Sequence, residues 1–429
     1  MEVKVKKIIF LLICLFISCF LIQFNFTIIN EKSLEGNVQN KSEVHFKLAD
    51  WWTCKFQNDY EDWYNENFGF SKLLIRVNNQ LLYSMLDVSK AREVLVGKGG
   101  HLFYENYINE YTGNNYVGED AIDLFKFHLE KIQDTLAKEG ITLITTFAAG
   151  PASYFPEDIP AKWGAEGFNS IYKSMSAKLS NTPINFIDFN SWFKKLKPVS
   201  KYPLFPKNGT HWSRYSIILV TDSLLKYIEN KAGLQLPKLM IKDVVTSDSI
   251  LPPDNDIYKV ANIFANRLSE KLAYPDFTYQ VNEGTEKFSL LGIGDSYMDM
   301  LYYYSKLTPA CFKEMDFLPY YLEEYHSDGA PNTSIETINI KEEIRKHKVI
   351  LLMATEANYG SFYWGFVDEV YNCFFESEKL QKDDFSLRKF KARIMKDQNW
   401  FKNIQKAAKK KNIPFENELT DAAIWLMNN

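Results

Sequence analysis

Apolar positions along this chain fall into three spacings. From Ile8 to Ile29 no charge interrupts them, and Ser18, Gln23, Asn25 and Thr27 are the polar breaks. Between Asn58 and about Ser89, Trp63, Phe68, Leu73, Leu74, Val77, Leu81 and Leu82 recur with helical spacing, and Phe125, Leu129, Ile132 and Leu136 form a second helical stripe that ends at Gly140. Compact apolar runs at Ile141 to Phe147, Asn185 to Phe189, Phe288 to Ile293 and Val349 to Met353 read as buried strands. Tyr215 to Ile228 and Met298 to Leu307 read as helices between them. This alternation predicts an α/β fold, a three-layer α/β/α sandwich with a mainly parallel sheet. A last helix is expected from Leu387 to about Lys411, with Lys406, Lys409, Lys410 and Lys411 as its solvated face.

The N-terminal run sets the compartment. Lys4, Lys6 and Lys7 precede it, and a helix of that length spans a hydrocarbon core of roughly 30 Å. Basic residues ahead of the span predict a cytoplasmic N-terminus and a single-pass anchor through residues 8–29, with the rest on the periplasmic or extracellular side. A cleaved signal peptide is the rival reading, but its apolar region is shorter and ends in small residues, whereas this run ends in Thr27-Ile28-Ile29-Asn30. The expected organisation is a stub and transmembrane anchor at 1–30, a polar stalk at 31–50, a catalytic domain at 51–380, and C-terminal helices packing on that domain at 381–429.

Composition narrows the partners. Of 429 residues, 24% are charged and 46% hydrophobic, with a net charge of −4, a globular balance. An acidic excess argues against nucleic acid as a partner. Outside the anchor, Cys54, Cys311 and Cys373 are an odd set that does not make a complete disulfide framework. The six histidines show no metal-ligand spacing, so no metal and no cofactor is expected.

Two motifs carry chemistry. In Leu291-Gly292-Ile293-Gly294-Asp295-Ser296-Tyr297 a strand stops at a glycine and a helix begins after it. Ser296 then sits at the sheet's C-terminal edge as a candidate nucleophile, with the elbow residues Gly294 and Tyr297 as oxyanion candidates. The plain alternative is that Asp295 or Ser296 only caps the helix. The second motif, Asn208-Gly209-Thr210-His211-Trp212-Ser213, offers His211 as the base a serine hydroxyl needs.

Together with Val96-Gly97-Lys98-Gly99-Gly100-His101-Leu102-Phe103-Tyr104 and Pro151-Ala152-Ser153-Tyr154-Phe155-Pro156-Glu157, these motifs and the N-terminal anchor resemble the SGNH-hydrolase-like O-acetyltransferases, among them periplasmic proteins that acetylate alginate and related exopolysaccharides. The resemblance implies an SGNH-hydrolase-like sandwich and transfer of acetyl through Ser296 to a polysaccharide hydroxyl, with His211 as general base. It also implies a membrane-bound O-acyltransferase partner that delivers the acetyl group. The chain departs from the family at Gly209, where an aspartate usually orients the histidine, and at Pro151, where relatives often carry lysine. Asp295, Glu356 and Asp222 are the candidate orienting carboxylates, and a Ser-His dyad is the other possibility. Trp212 and Tyr154 are candidate sugar-stacking residues, as are Tyr104 and Tyr297. An acetylesterase on the same fold and a polysaccharide-binding scaffold with a decayed site remain as alternatives.

Overall fold

The computed structural model describes residues 2–36, 44–167, 169–265, 267–326, 329–375, 387, 390–391, 393–395, 397–411 and 413–427. It divides into two compact units, Met1–Leu102 with Asn255–Ser269, and Phe103–Asp254 with Glu270–Asn429. Of the expected stalk, 37–43 lie outside the described residues, as do 381–386 of the C-terminal region.

In the first unit, helix α1 (Glu2–Phe26) contains a stretch, Lys4–Phe26, that is long and apolar enough to cross a membrane, with a mean hydropathy of 2.6. It ends three residues before the apolar run does. The Gln23 side chain turns back to accept from Ile29 N–H at 3.0 Å and donate to Ile29 C=O at 2.6 Å, while Thr27 takes a left-handed φ of 43°. The helix expected over 58–89 is two helices, α2 (Lys55–Asn67) and α3 (Ser71–Leu86). They part at Gly69, where a Cβ would stand 2.2 Å from Phe20 C=O. Only glycine lets that break close on α1.

The second unit is built on a seven-stranded sheet. The predicted stripe forms α4 (Glu119–Lys138), with Phe125, Leu129, Ile132 and Leu136 buried. Strand β1 (Thr142–Phe147) follows, then α5 (Ile171–Leu179), β2 (Phe186–Asp188), α6 (Phe189–Leu196) and α7 (Arg214–Ala232). The chain then makes a separate exposed ribbon, β3 (Lys238–Ser247) against β4 (Leu272–Gln280). It returns through β5 (Phe288–Gly294), α8 (Ser296–Tyr304), β6 (Phe312–Pro319), β7 (Glu323–His326), β8 (Thr333–Ser334), α9 (Ile340–Arg345), β9 (Val349–Ala354) and α10 (Phe366–Phe375).

The strand order is β8-β7-β6-β5-β9-β1-β2, with β6, β5, β9, β1 and β2 parallel and the β7–β8 edge antiparallel. The sheet is therefore mainly parallel and lies among helices. Helices α4, α5, α9 and α10 share one core with Leu291, Ile293, Leu318, Ile350 and Leu352, while α8 packs on β5 and β9 and α7 packs on α8. Helices α11 (Gln398–Lys411) and α12 (Phe415–Met427) close a small cluster around Ile394, Ile404, Leu419 and Ala423. The register brings Gly294, Pro319 and Met353 level at one edge.

Leu352 lies on the interior strand β9 and is fully buried, so Leu352→Ala is expected to cost about 2–5 kcal/mol, read from the chemical denaturation midpoint.

Candidate active site

Strand β5 stops at Gly294 because the chain must pass close to β9. A Cβ there would stand 2.9 Å from Met353 C=O. Asp295 then caps α8, accepting from Tyr297 N–H at 3.1 Å. Its other oxygen accepts from Thr355 N–H at 2.9 Å, Thr355 Oγ1–H at 2.9 Å and Asn358 Nδ2–H at 2.8 Å. Burial pushes this carboxyl up and these four donors pull it down. Ser296, the first residue of α8, is half-buried at the edge.

His211 reaches it from 85 residues away, with Nε2 2.8 Å from Ser296 Oγ. The loop that carries His211 is fixed from below. Ser213 N–H donates to Leu204 C=O at 2.9 Å, the Ser213 hydroxyl donates to Pro203 C=O at 2.8 Å, and the Tyr297 hydroxyl donates to Thr210 C=O at 2.5 Å. The Tyr297 ring also lies 4.9 Å from the imidazole and 5.0 Å from the Trp212 ring, centre to centre.

Several sequence-based roles move. Neither Asp295 nor Glu356 orients the imidazole. The first holds the elbow, and the second is buried under the Pro151–Tyr154 turn, accepting from Asn190 Nδ2–H at 2.6 Å and Ser153 N–H at 3.4 Å. Asp222 is paired with Lys226 on α7. The Tyr297 amide is committed to Asp295 and its ring is buried, so it supports the loop and offers no oxyanion donor. Gly294 acts by its missing side chain. Trp212 is 0% and Tyr154 6% exposed, so neither presents a ring face for a sugar. Trp212 packs against Phe189, Phe193 and Tyr297, and Tyr154 among Phe155, Phe193 and Phe205.

Gly209 proves to be a steric necessity. A Cβ there would stand 2.8 Å from the Asp254 main-chain oxygen and 2.8 Å from Pro206 Cγ. The loop that brings Asp254 also caps α7, because its carboxylate accepts from Arg214 N–H at 3.2 Å.

Two residues that the sequence reading passed over stand at the site. Asp299, one turn after Ser296 on α8, is pushed up to about 6 by burial and by the Asp295 charge, while His211 pulls it down. Tyr320 follows β6, with its hydroxyl near enough to the Oγ and the main-chain N–H of Ser296 for both to pull its pKa down. Burial, then the Asp295 charge, push its phenol above the ordinary range, so it is protonated at neutral pH. Tyr320 has a left-handed φ of 52°, its N–H donates to Gly294 C=O at 2.8 Å, and half-buried Trp364 meets its ring edge-on at 5.3 Å. The left-handed backbone was the signal of strain at this edge, and no sequence pattern announced it.

Gly209→Asp is expected to lose about 1–3 kcal/mol in thermal or chemical denaturation and to lower turnover rather than complete a triad. Asp299 carries a second expectation. Its carboxyl is raised in the fold, so its contribution to stability is full below pH about 4 and is lost as pH rises through about 6. Asp299→Asn should therefore match the wild type at pH 4 and exceed it at pH 8, by less than about 3 kcal/mol after solvent screening. Turnover should fall and its acidic limb should move to lower pH, because the imidazolium loses a neighbouring negative charge.

Residues 94–285 match the SGNH hydrolase-like domain of acetyltransferase AlgX, a stretch that contains His211 and stops before Ser296. No curated protein matches the chain. Among solved structures, the O-acetyltransferase domain of Pseudomonas putida AlgJ is 12% identical, covering 65% of this chain and 99% of its own, with a TM-score of 0.40. Pseudomonas aeruginosa AlgX is 14% identical over 66% of this chain and 68% of its own, with a TM-score of 0.41. Bacillus cereus PatB1 with a sulfonyl adduct is 10% identical over 63% of this chain and 98% of its own, with a TM-score of 0.40. Likenesses this distant decide nothing about activity. By sequence, residues 94–285 are similar to the SGNH hydrolase-like domain of acetyltransferase AlgX.

Proposed function

We propose that this chain is a membrane-anchored, outward-facing O-acetyltransferase that moves acetyl through Ser296 to a hydroxyl of an exported or cell-surface polysaccharide. The observation that carries the reading is the 2.8 Å approach of His211 Nε2 to Ser296 Oγ at the strand-to-helix elbow. In the first half-reaction Oγ attacks the acetyl carbonyl of the donor while Nε2 takes its proton. The tetrahedral oxyanion collapses, the bond to the donor's leaving group breaks, and that group takes the proton from His211. In the second, a sugar hydroxyl attacks the acetyl-serine, His211 takes the hydroxyl proton, and Ser296 Oγ leaves and recovers it.

The Tyr320 hydroxyl, protonated at neutral pH and beside Oγ, is the donor for the oxyanion. Trp364, set against Tyr320, replaces Trp212 and Tyr154 as the aromatic that meets the acceptor. Helix α1 acts as the anchor through residues 8–26, placing the site in the periplasm or outside the cell. The acetyl donor is delivered by a membrane-bound O-acyltransferase. The Ser-His contact favours an enzyme over a decayed scaffold.

The test uses the full chain in detergent with an activated acetyl ester, with and without oligosaccharide acceptors, read by mass spectrometry. Acetylated Ser296 and acceptor-dependent acetyl-sugar are expected, both abolished by Ser296→Ala and slowed on the order of 10²-fold by Tyr320→Phe. Acetate release that ignores every sugar would replace the transferase with an esterase, and turnover that survives Ser296→Ala would remove the serine mechanism.

A further inference from the structure

Three carboxylates and two imidazoles converge where β6, β7 and α9 meet, on the face of the sheet away from α8. Gly292 faces Met298 of α8, and strand residues alternate faces. Its neighbour Leu291, with its register partner Asp316, therefore points to the other side. There His326 Nδ1 lies 2.9 Å from Asp316 Oδ1, and His326 Nε2 lies 3.8 Å from Glu324 Oε2 and 3.3 Å from Thr333 Oγ1. His347 Nε2 lies 3.4 Å from Asp316 Oδ2 and 3.3 Å from Glu343 Oε1. In each of the sets Asp316, Glu324, His326 and Asp316, Glu343, His347, the donor atoms sit within 4.8 Å of one another.

The cluster is closed off from water and short of internal hydrogen-bond partners. Asp316, Glu324, Glu343 and His347 are at most 5% exposed. Lys346, paired with Glu343, answers one of the three carboxylates. His347 Nδ1, also buried, has no hydrogen-bond partner. Glu324 Oε1, also buried, has no donor.

The geometry points to a binding site for one divalent transition-metal ion, with Asp316 shared between His326 and Glu324 on one side and His347 and Glu343 on the other. A divalent cation supplies positive charge among the three carboxylates and a partner for the stranded carboxylate oxygen. Imidazole with carboxylate and no thiolate suits Zn²⁺ or Mn²⁺, whereas Ca²⁺ and Mg²⁺ take oxygen ligands. The ion would clamp β6 to β7 and α9, a structural role away from the serine. Glu343 and His347 stand four residues apart, but Asp316 and the Glu324–His326 pair come from other strands, so no short motif records the set.

The test strips the full chain with EDTA, reloads it with Zn²⁺ or Mn²⁺ and follows calorimetric titration, metal content and thermal midpoint. About one ion per chain and a higher midpoint on reloading are expected. Glu324→Gln, which keeps the side-chain shape, and His326→Ala, at a partly exposed position, should each weaken uptake at least about tenfold with an unchanged circular dichroism spectrum. A midpoint indifferent to stripping and reloading, with no ion retained after desalting, overturns the proposal. Unchanged affinity in both variants overturns it too, since the ion would then sit elsewhere.

Discussion

Asp295 is the residue on which the edge of this sheet depends. Its carboxylate gathers an amide from its own helix, an amide and a hydroxyl from Thr355 just beyond β9, and the side-chain amide of Asn358. One buried carboxyl group thereby joins the elbow of β5 to the end of the neighbouring strand. The nucleophile is the next residue along, so its position is inherited from that junction. A carboxylate with four donors is held in place far more tightly than one aimed at a mobile imidazole.

That explains why the sequence misleads on the third member of the site. Asp295 stands beside the serine and Glu356 follows a strand, and in an unfolded reading both look available. Each is instead consumed by main-chain and amide donors at the strand ends. The strands, the α4 stripe and the Ser296–His211 pairing were legible, because periodicity and a strand-glycine-helix junction are local properties. Gly209 was legible as a departure, but its cause was not. The crowding comes from Asp254, which belongs to a loop on the far side of α7 in sequence. Trp212 and Tyr154 failed as sugar platforms for a related reason: composition cannot tell an aromatic that faces solvent from one that seals the floor of a loop.

The His211 loop shows how rigidity is obtained without a dedicated orienting carboxylate in its motif. Tyr297, fully buried, meets the imidazole, the indole of Trp212 and the carbonyl of Thr210 at once. The residue that follows the nucleophile thus supports the base, and the two halves of the Ser-His pair are held by adjacent residues on one helix. Asp299, on the same helix, sets a negative charge near the ring at a cost in its own solvation.

Beside Tyr320 the chain does something that local preference opposes. Phe362, Tyr363 and Trp364 take φ values of 48°, 58° and 56°, and Gly365 follows at 82°. Left-handed backbone costs an L-residue about 1–2 kcal/mol, so no fragment of this segment would adopt that path alone. Contacts from elsewhere hold it: the Tyr363 hydroxyl donates to Thr146 C=O at 3.0 Å on β1, and Phe362 stacks on Phe125 of α4 at 5.1 Å. The wall beside the serine is therefore held in shape by the sheet and by α4 rather than by the backbone preference of its own residues.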